Sequence, residues 1–309
     1  MVHFERIAII GCGFSGLMTL HHLVRGSRQP LSIHVYEQLG KFGKGLAYST
    51  TEPVHLLNVP AGRMGALPGR PDDFYRWLCG NQSAWKSLHP SFAGMIPTPE
   101  SFLPRMIYGL YLEQILRRTL KLARRYGHRV ELVSQAVHRV DRNLTILDAS
   151  GESWRADLSV LREPWNGHSA SSFWQWFENQ TWQVHSHIVV LGTGLSAVDM
   201  LHSLKSRQFP GRLTAVSRHS LLPKPHKLRV KNLPQPDVLE FPRTASGLAQ
   251  KLDRDIDRLN LEGRDWRIVI DQIRPIINAI WDRLPLNEQR QFLRDHFSWW
   301  SVLRHRMTP

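Results

Sequence analysis

The chain has 309 residues, 42% hydrophobic and 21% charged, with a formal net charge of +14 and two cysteines. That length can bury a large core and hold two domains, and two cysteines without a C-x-x-C spacing exclude a disulfide relay or a zinc knuckle. No apolar run approaches the ~20 residues needed to span a bilayer, and the sequence enters an apolar strand almost at once without the regions of a signal peptide, so a cytoplasmic protein is expected.

In chain order, Ile7-Ala8-Ile9-Ile10 reads as a buried strand, followed by a glycine-rich turn over Gly11–Gly16 and a helix from Leu17. With the next strand, Leu31–Glu37, this makes a β-α-β unit over residues 1–40. Residues 41–105 are irregular and rich in Gly and Pro, as in segments that are functional or wrap a ligand. Within them Asp72–Cys79 predicts a short helix with Asp72 as a possible cap. Arg105–Arg125 predicts an amphipathic helix. Ile107, Tyr111, Ile115, Leu116 and Leu122 form its apolar face, and Arg117, Arg118, Lys121, Arg124 and Arg125 a solvated basic one. Short strands near Val130–Val133, Ala136–Val140 and Leu144–Leu147, with turns at Asp141-Arg142-Asn143 and Ser150-Gly151, predict a β-meander.

A second β-α-β unit is expected over residues 183–230, with Ile188–Leu191 as strand, Val198–Leu204 as helix and Arg212–Arg218 as the next strand. Helices follow over 244–306. One pattern begins with Asp253, Ile256, Leu259 and Leu261, and another with Trp266, Ile270, Ile273 and Ile277, continued by Trp281 and Leu284. The expected fold class is α/β, with two Rossmann-like dinucleotide-binding units, a β-meander and a helical C-terminal region. The expected boundaries are 1–165, 183–230 and 244–309.

The two glycine turns carry the chemistry. Gly11-Cys12-Gly13-Phe14-Ser15-Gly16 is G-x-G-x-x-G, and Gly192-Thr193-Gly194-Leu195-Ser196-Ala197 is G-x-G-x-x-A. The first glycine makes the tight turn, the second lets backbone approach a pyrophosphate, and the third position packs helix against strand. The pyrophosphate then faces the N–H groups of a helix N-terminus. Glu37, 26 positions after Gly11 (37 − 11), offers a carboxylate to an adenosine ribose diol. Arg218, 26 positions after Gly192 (218 − 192), is a cation suited to a 2′-phosphate, and equally readable as a solvated surface arginine. FAD (or NAD) is therefore expected at the first turn and NADPH rather than NADH at the second.

Other constellations are weaker. His21-His22 and His185/His187 lack carboxylate or cysteine partners at ligand spacing, so no metal is expected. Lys224, His226, Lys227, Arg229 and Lys231 follow Pro223 and read either as an attractor for a phosphorylated cofactor or as a flexible surface loop. Trp174, Trp176 and Trp182 cluster beside the second unit, where they either line a channel or anchor core. Basic residues are scattered, which argues against a nucleic-acid or membrane-surface partner.

Several further motifs carry a family resemblance. They are Phe42-Gly43-Lys44-Gly45-Leu46-Ala47-Tyr48, His55-Leu56-Leu57-Asn58-Val59-Pro60-Ala61, Phe102-Leu103-Pro104-Arg105 and Arg304-His305-Arg306-Met307. With the two glycine turns they resemble bacterial FAD/NAD(P)-binding proteins distantly related to flavin-containing monooxygenases and lysine or ornithine N-hydroxylases. The resemblance covers nearly the whole chain. It implies a first domain binding FAD and a loop around His55–Met64 near the flavin. Two departures stand out. The small-residue turn after the meander is replaced by Asp157–Leu161 running into Arg162-Glu163-Pro164-Trp165-Asn166-Gly167, and the chain stops at Pro309 where the resembled proteins continue. A shortened member of the group is expected.

The expected function is an FAD-dependent oxidoreductase passing hydride from NADPH to flavin, and on to oxygen or a small-molecule acceptor. The candidate FAD residues are Gly11, Gly13, Phe14, Ser15, Gly16 and Glu37, with Asn58 at the flavin edge. Those for the nicotinamide cofactor are Gly192, Gly194, Leu195, Ser196 and Arg218. The alternative is a non-catalytic dinucleotide-binding or interaction protein. The sequence names neither a substrate, nor an acid or base, nor an oligomeric state.

Overall fold

The N-terminal apolar run forms β1 (Glu5–Ile10), the spine of a parallel sheet. The computed structural model describes residues 4–161, 177, 179–227 and 234–308, and its compact units are Met1–Thr181 and Trp182–Pro309. In the first unit, β1 leads through α1 (Phe14–Gly26) to β2 (Leu31–Tyr36). A long connection carries three short helices, α2 (Gly45–Tyr48), α3 (Asp73–Gly80) and α4 (Gln82–Lys86). Then come α5 (Arg105–Arg125) and β3 (Arg129–Val133). The hairpin strands β4 (Val137–Val140), β5 (Thr145–Asp148) and β6 (Ser153–Arg155) follow, and β7 (Leu158–Leu161) returns beside β1. The parallel order is β3-β2-β1-β7, and β4-β5-β6 form a separate antiparallel sheet.

A parallel sheet needs cover on both faces. On one face Ile7, Ile9, Ile33 and Val35 pack with Leu17 and Leu20 of α1 and with Ile107, Leu112 and Ile115 of α5. On the other, Ala8 and Tyr36 meet Ile146 and Ala156 of the meander. There Trp154 stacks on His34 at 3.9 Å, and His34 lies 3.3 Å from Glu131. The meander therefore serves as the sheet's second cover. Residues 129–133, expected in that meander, instead pair with β2 in the parallel sheet.

The connection over residues 41–105 is irregular but part of the core. Leu57, Phe74, Leu78, Trp85, Phe92 and Leu103 are buried in the same cluster as the sheet. Asp72 does not cap α3 through its side chain; its carboxylate takes Arg76 Nε at 2.7 Å. Arg117, Arg118, Lys121, Arg124 and Arg125 of α5 are exposed, as expected. At Gly109 of α5 an added Cβ would lie 2.3 Å from the Tyr48 carbonyl, which lets α2 sit directly on α5.

In the second unit, β8 (His187–Leu191), α6 (Leu195–Ser206) and β9 (Arg212–Val216) form a β-α-β element with the two strands parallel. β8 begins at His187, so His185 lies outside the strand, and the His187 ring bonds Thr214 at 2.9 Å. The outer face of this pair leaves Leu191 84% exposed. The helices α7 (Ala245–Leu261), α8 (Arg267–Ile273), α9 (Ile277–Asp282), α10 (Leu286–Asp295) and α11 (Phe297–Arg304) bury Leu248, Leu252, Leu259, Ile273, Ile280 and Leu284 together. Leu261, expected in that stripe, is exposed, because two positions beyond Leu259 is the opposite side of a 3.6-residue helix. Trp182 packs edge-on against Phe209, whereas Trp174, Trp176 and the Arg162–Gly167 segment lie outside the described residues. No helix among the described residues is long and apolar enough to cross a membrane.

Alanine is the better helix former by about 1 kcal/mol, yet Gly109→Ala is expected to destabilise the protein by on the order of 3 kcal/mol through overpacking against Tyr48. Urea unfolding of the variant measures it, and an unchanged or higher midpoint would contradict the packing described.

Candidate dinucleotide-binding sites

The first turn is shaped by backbone contacts. Gly11 takes φ +92°, a left-handed value that favours glycine. Its N–H donates to the Tyr36 carbonyl at 2.9 Å, tying the end of β1 to the end of β2. A Cβ on Gly16 would lie 2.0 Å from the Gly11 carbonyl oxygen, so α1 can approach its own strand only with glycine there. Gly13 is the extended N-cap of α1 and offers no side chain to the first turn. The early N–H groups of such a helix lack intrahelical acceptors and favour an anion. Phe14 and Ser15 are exposed at that end.

Glu37 follows β2 and turns back. Its Oε2 accepts from the Cys12 N–H at 3.0 Å, while Oε1 has no hydrogen bond among the described residues. The carboxylate thus braces the turn through one of its two oxygens. Cys12 between the glycines is fully buried. Burial pushes its thiol up to about 12, against the lowering effect of the Gly43 N–H and with a further push from Glu37.

A second glycine pair sits on this turn. Gly43 (φ +86°) donates to the Cys12 carbonyl at 2.6 Å, and a Cβ on Gly45 (φ +54°) would lie 2.7 Å from the Gly13 Cα. The close approach that Gly13 permits is therefore made by the protein's own backbone. Lys44 between them pairs with Glu113 of α5 at 2.8 Å. The Gly43-Lys44-Gly45 spacing was visible in the sequence; its partner was not.

The His55–Gly62 segment is laced to Pro99–Arg105. Leu57 N–H donates to the Leu103 carbonyl, Ala61 N–H to Ser101 and Arg105 N–H to His55, at 2.7 to 2.9 Å. Asn58 lies half-buried between the Leu57 and Ala61 rungs. His55 is buried, with Nδ1 2.8 Å from the Thr50 hydroxyl.

The second turn repeats the first in backbone. Gly192 takes φ +96°, and its N–H donates to the Val216 carbonyl at 2.8 Å. Gly194 caps α6 with φ −77° and ψ −171°, beside −76° and −163° at Gly13. Ala197 is buried at the third position, while Leu195 is partly buried and Ser196 exposed. Among the described residues nothing lies within 4 Å of a Cβ placed on Gly194, unlike the Gly45 backbone that sits on Gly13 in the first turn.

These hydrogen bonds also correct the register between the turns. Gly11 pairs with Tyr36 and Gly192 with Val216, so the backbone counterpart of Glu37 is Ser217, and Arg218 is one residue further on. Counting from the glycines missed this because the second connection is one residue shorter. The position that carries a carboxylate in the first unit carries a hydroxyl in the second, with an exposed arginine next to it. The Ser217 hydroxyl is buried without a hydrogen-bond partner among the described residues. Thr193 donates from its side chain to the Leu221 carbonyl, anchoring the segment after β9 to the turn. Among the described residues no cluster of His, Cys, Asp and Glu forms a metal site.

A family model described as FAD-NAD(P)-binding matches residues 8–162, half of the chain. No curated protein matches it. Among solved structures, S-allyl-L-cysteine S-oxygenase from Allium sativum is 17% identical, aligned over 74% of this chain and 54% of its own, with a TM-score of 0.42. The ornithine N-hydroxylase of Kutzneria sp. 744 is 13% identical over 99% of this chain and 71% of its own, with a TM-score of 0.47. A flavin-containing monooxygenase from Stenotrophomonas maltophilia is 18% identical over 70% and 59%, with a TM-score of 0.40. The chain thus spans about half the length of the S-oxygenase.

Two tests follow from the geometry. Gly16→Ala is expected to lose on the order of 3 kcal/mol of stability to the Gly11 clash, while Gly194→Ala stays within about 0.5 kcal/mol; equal effects in urea would contradict the difference between the turns. In the native protein at pH 8 a thiol-specific disulfide reagent should titrate one cysteine, the exposed Cys79, and both after denaturation. Rapid native reaction of Cys12 would show that the turn is open.

Proposed function

The chain belongs to the FAD-NAD(P)-binding family, and on that premise we propose that it is an FAD-dependent oxidoreductase that draws electrons from NADPH and delivers them to oxygen or a small-molecule acceptor. The observation that carries this reading is the pair of turns with one backbone geometry, the first followed by a carboxylate and the second by a hydroxyl with an arginine beside it. At the first, Glu37 sets a carboxylate beside the seat of an adenosine ribose, which suits a free diol and repels a 2′-phosphate. At the second, the charge of the exposed Arg218 suits the phosphate.

A bound flavin and reduced nicotinamide supply the electron transfer itself. The protein's own residues bind and orient. Gly11, Gly13 and Gly16 bring the α1 N-terminus to a pyrophosphate, with Phe14 and Ser15 at its exposed end, and Glu37 holds the ribose. Asn58, on a segment fixed at both sides by backbone hydrogen bonds, is assigned to the flavin edge. In the second unit Gly192, Gly194, Leu195 and Ser196 form the matching seat.

One observation favours a second reading, a non-catalytic dinucleotide-binding or interaction protein. The β8–β9 pair presents Val189, Leu191 and Val216 to solvent, all at least 49% exposed. Apolar surface of that kind also marks protein contacts.

Anaerobic addition of NADPH to the flavin-loaded protein discriminates the two: bleaching of the flavin supports the oxidoreductase, and an unchanged spectrum supports the second reading. Arg218→Gln is expected to raise the KM for NADPH about tenfold and leave that for NADH unchanged, as loss of one charge-assisted contact would. Equal constants for the two cofactors in the wild type would contradict the NADPH assignment. Glu37→Gln should weaken FAD binding by about 2 kcal/mol, some thirtyfold, measured by equilibrium titration with FAD.

A further inference from the structure

Four oxidisable aromatic side chains of the first unit stand in a row that the dinucleotide sites do not use. Tyr48 ends α2, the helix whose first residue, Gly45, rests on Gly13 of the glycine turn. Its ring centroid lies 4.7 Å from that of Tyr108. Tyr108 lies 5.3 Å from Tyr111, and Tyr111 lies 5.6 Å from Trp77 of α3. Phe74 packs on the bend of the row, 4.9 Å from Tyr108 and 5.2 Å from Tyr111. Tyr108 and Tyr111 are fully buried, whereas Trp77 keeps 6% of its surface exposed. The row thus runs from beside the first turn to the protein surface.

Ring contacts at such spacings are ordinary core packing. Packing does not explain why the polar groups along the row differ. The Tyr111 hydroxyl donates to Asp73 Oδ2 at 2.7 Å and accepts from the Ala66 N–H at 3.1 Å. Asp73 is half-buried and forms no ion pair among the described residues, so this carboxylate faces a phenol with no cation beside it. The Trp77 indole N–H donates instead to the amide oxygen of Gln114. The hydroxyls of Tyr48 and Tyr108 form no hydrogen bond among the described residues. A carboxylate can accept a proton outright, and an amide oxygen can only share one. Within the row, Tyr111 alone has a base in place. Burial pushes its phenol up, against the Ala66 N–H and with a further push from Asp73, so it holds its proton until it is oxidised.

We propose that this row carries oxidising equivalents, and that Tyr111, with Asp73 as its base, is the residue on which they come to rest. The oxidant is a one-electron oxidant of the oxygen-radical class that meets the row at Trp77. Trp77 loses one electron to it and regains one from Tyr111, while the phenolic proton of Tyr111 passes to Asp73 Oδ2. The products are the reduced oxidant, a neutral tyrosyl radical and a protonated Asp73 carboxyl. A thiolate of the medium then returns one electron, becoming a thiyl radical, and Asp73 returns the proton. Trp77 is only a relay, because the amide of Gln114 cannot take its proton. The row stands on these side chains whether or not the first turn holds a flavin.

Pulse radiolysis of the full chain tests this, with azide radical, which oxidises tryptophan, as the probe. Tryptophanyl absorbance should decay in a step independent of protein concentration as tyrosyl absorbance grows. Samples frozen after the pulse should carry a tyrosyl paramagnetic-resonance signal. Tyr111→Phe should remove most of that signal, and Tyr126→Phe, which deletes a tyrosine 51% exposed, should leave it unchanged. Asp73→Asn keeps an acceptor on the phenol but no base, and should slow the transfer severalfold even where Tyr111→Phe fails to fold. No tyrosyl signal in the wild type, a signal that survives Tyr111→Phe, or a transfer step unchanged in Asp73→Asn would overturn the proposal.

Discussion

The carbonyl oxygen of Gly11 stands where any side chain on residue 16 would have to go, 2.0 Å from the position of its Cβ. The rest of the first unit is arranged around that contact. It lets the start of α1 lie against the end of β1. Gly11 must then turn left-handed to reach Tyr36, which brings Glu37 alongside Cys12. Gly45 can rest on Gly13 because neither residue has a side chain, and α2 can rest on α5 because Gly109 has none. A series of backbone-to-backbone approaches thus runs from the sheet through the turn to the long helix.

The two glycine turns show how little sequence is needed to change the chemistry on a constant frame. Their caps agree within 10° in φ and ψ, and each first glycine bonds the end of the neighbouring strand. What differs is the residue at the strand's end and what covers the turn. A carboxylate and a roof of glycines define the first; a hydroxyl and an adjacent arginine define the second.

Much of this was legible in the sequence. The strand–turn–helix units, the span of Arg105–Arg125 and its basic outer face follow from periodicity and from what glycine alone can do. The misreadings have specific causes. Residues 129–133 look like any short strand, and only pairing with β2 places them in the parallel sheet. Asp72 has the right type for a cap, but Arg76 one turn later competes for its carboxylate. The offset between Glu37 and Arg218 depends on hydrogen-bond register, which counting residues does not reveal. The lacing of His55–Gly62 to Pro99–Arg105 pairs segments some forty residues apart without any regular pattern, so it was unreadable in advance. The pairing of both Arg274 and Arg306 with Asp271 was hidden for the same reason.

The central claim is that the first turn, braced by Glu37 and roofed by Gly43 and Gly45, is a seat for FAD. The most direct measurement is the visible absorbance of the purified protein, with the cofactor released by denaturation and identified. The account predicts flavin bands near one equivalent per chain and FAD as the released species. A colourless protein that takes up no added FAD would contradict it.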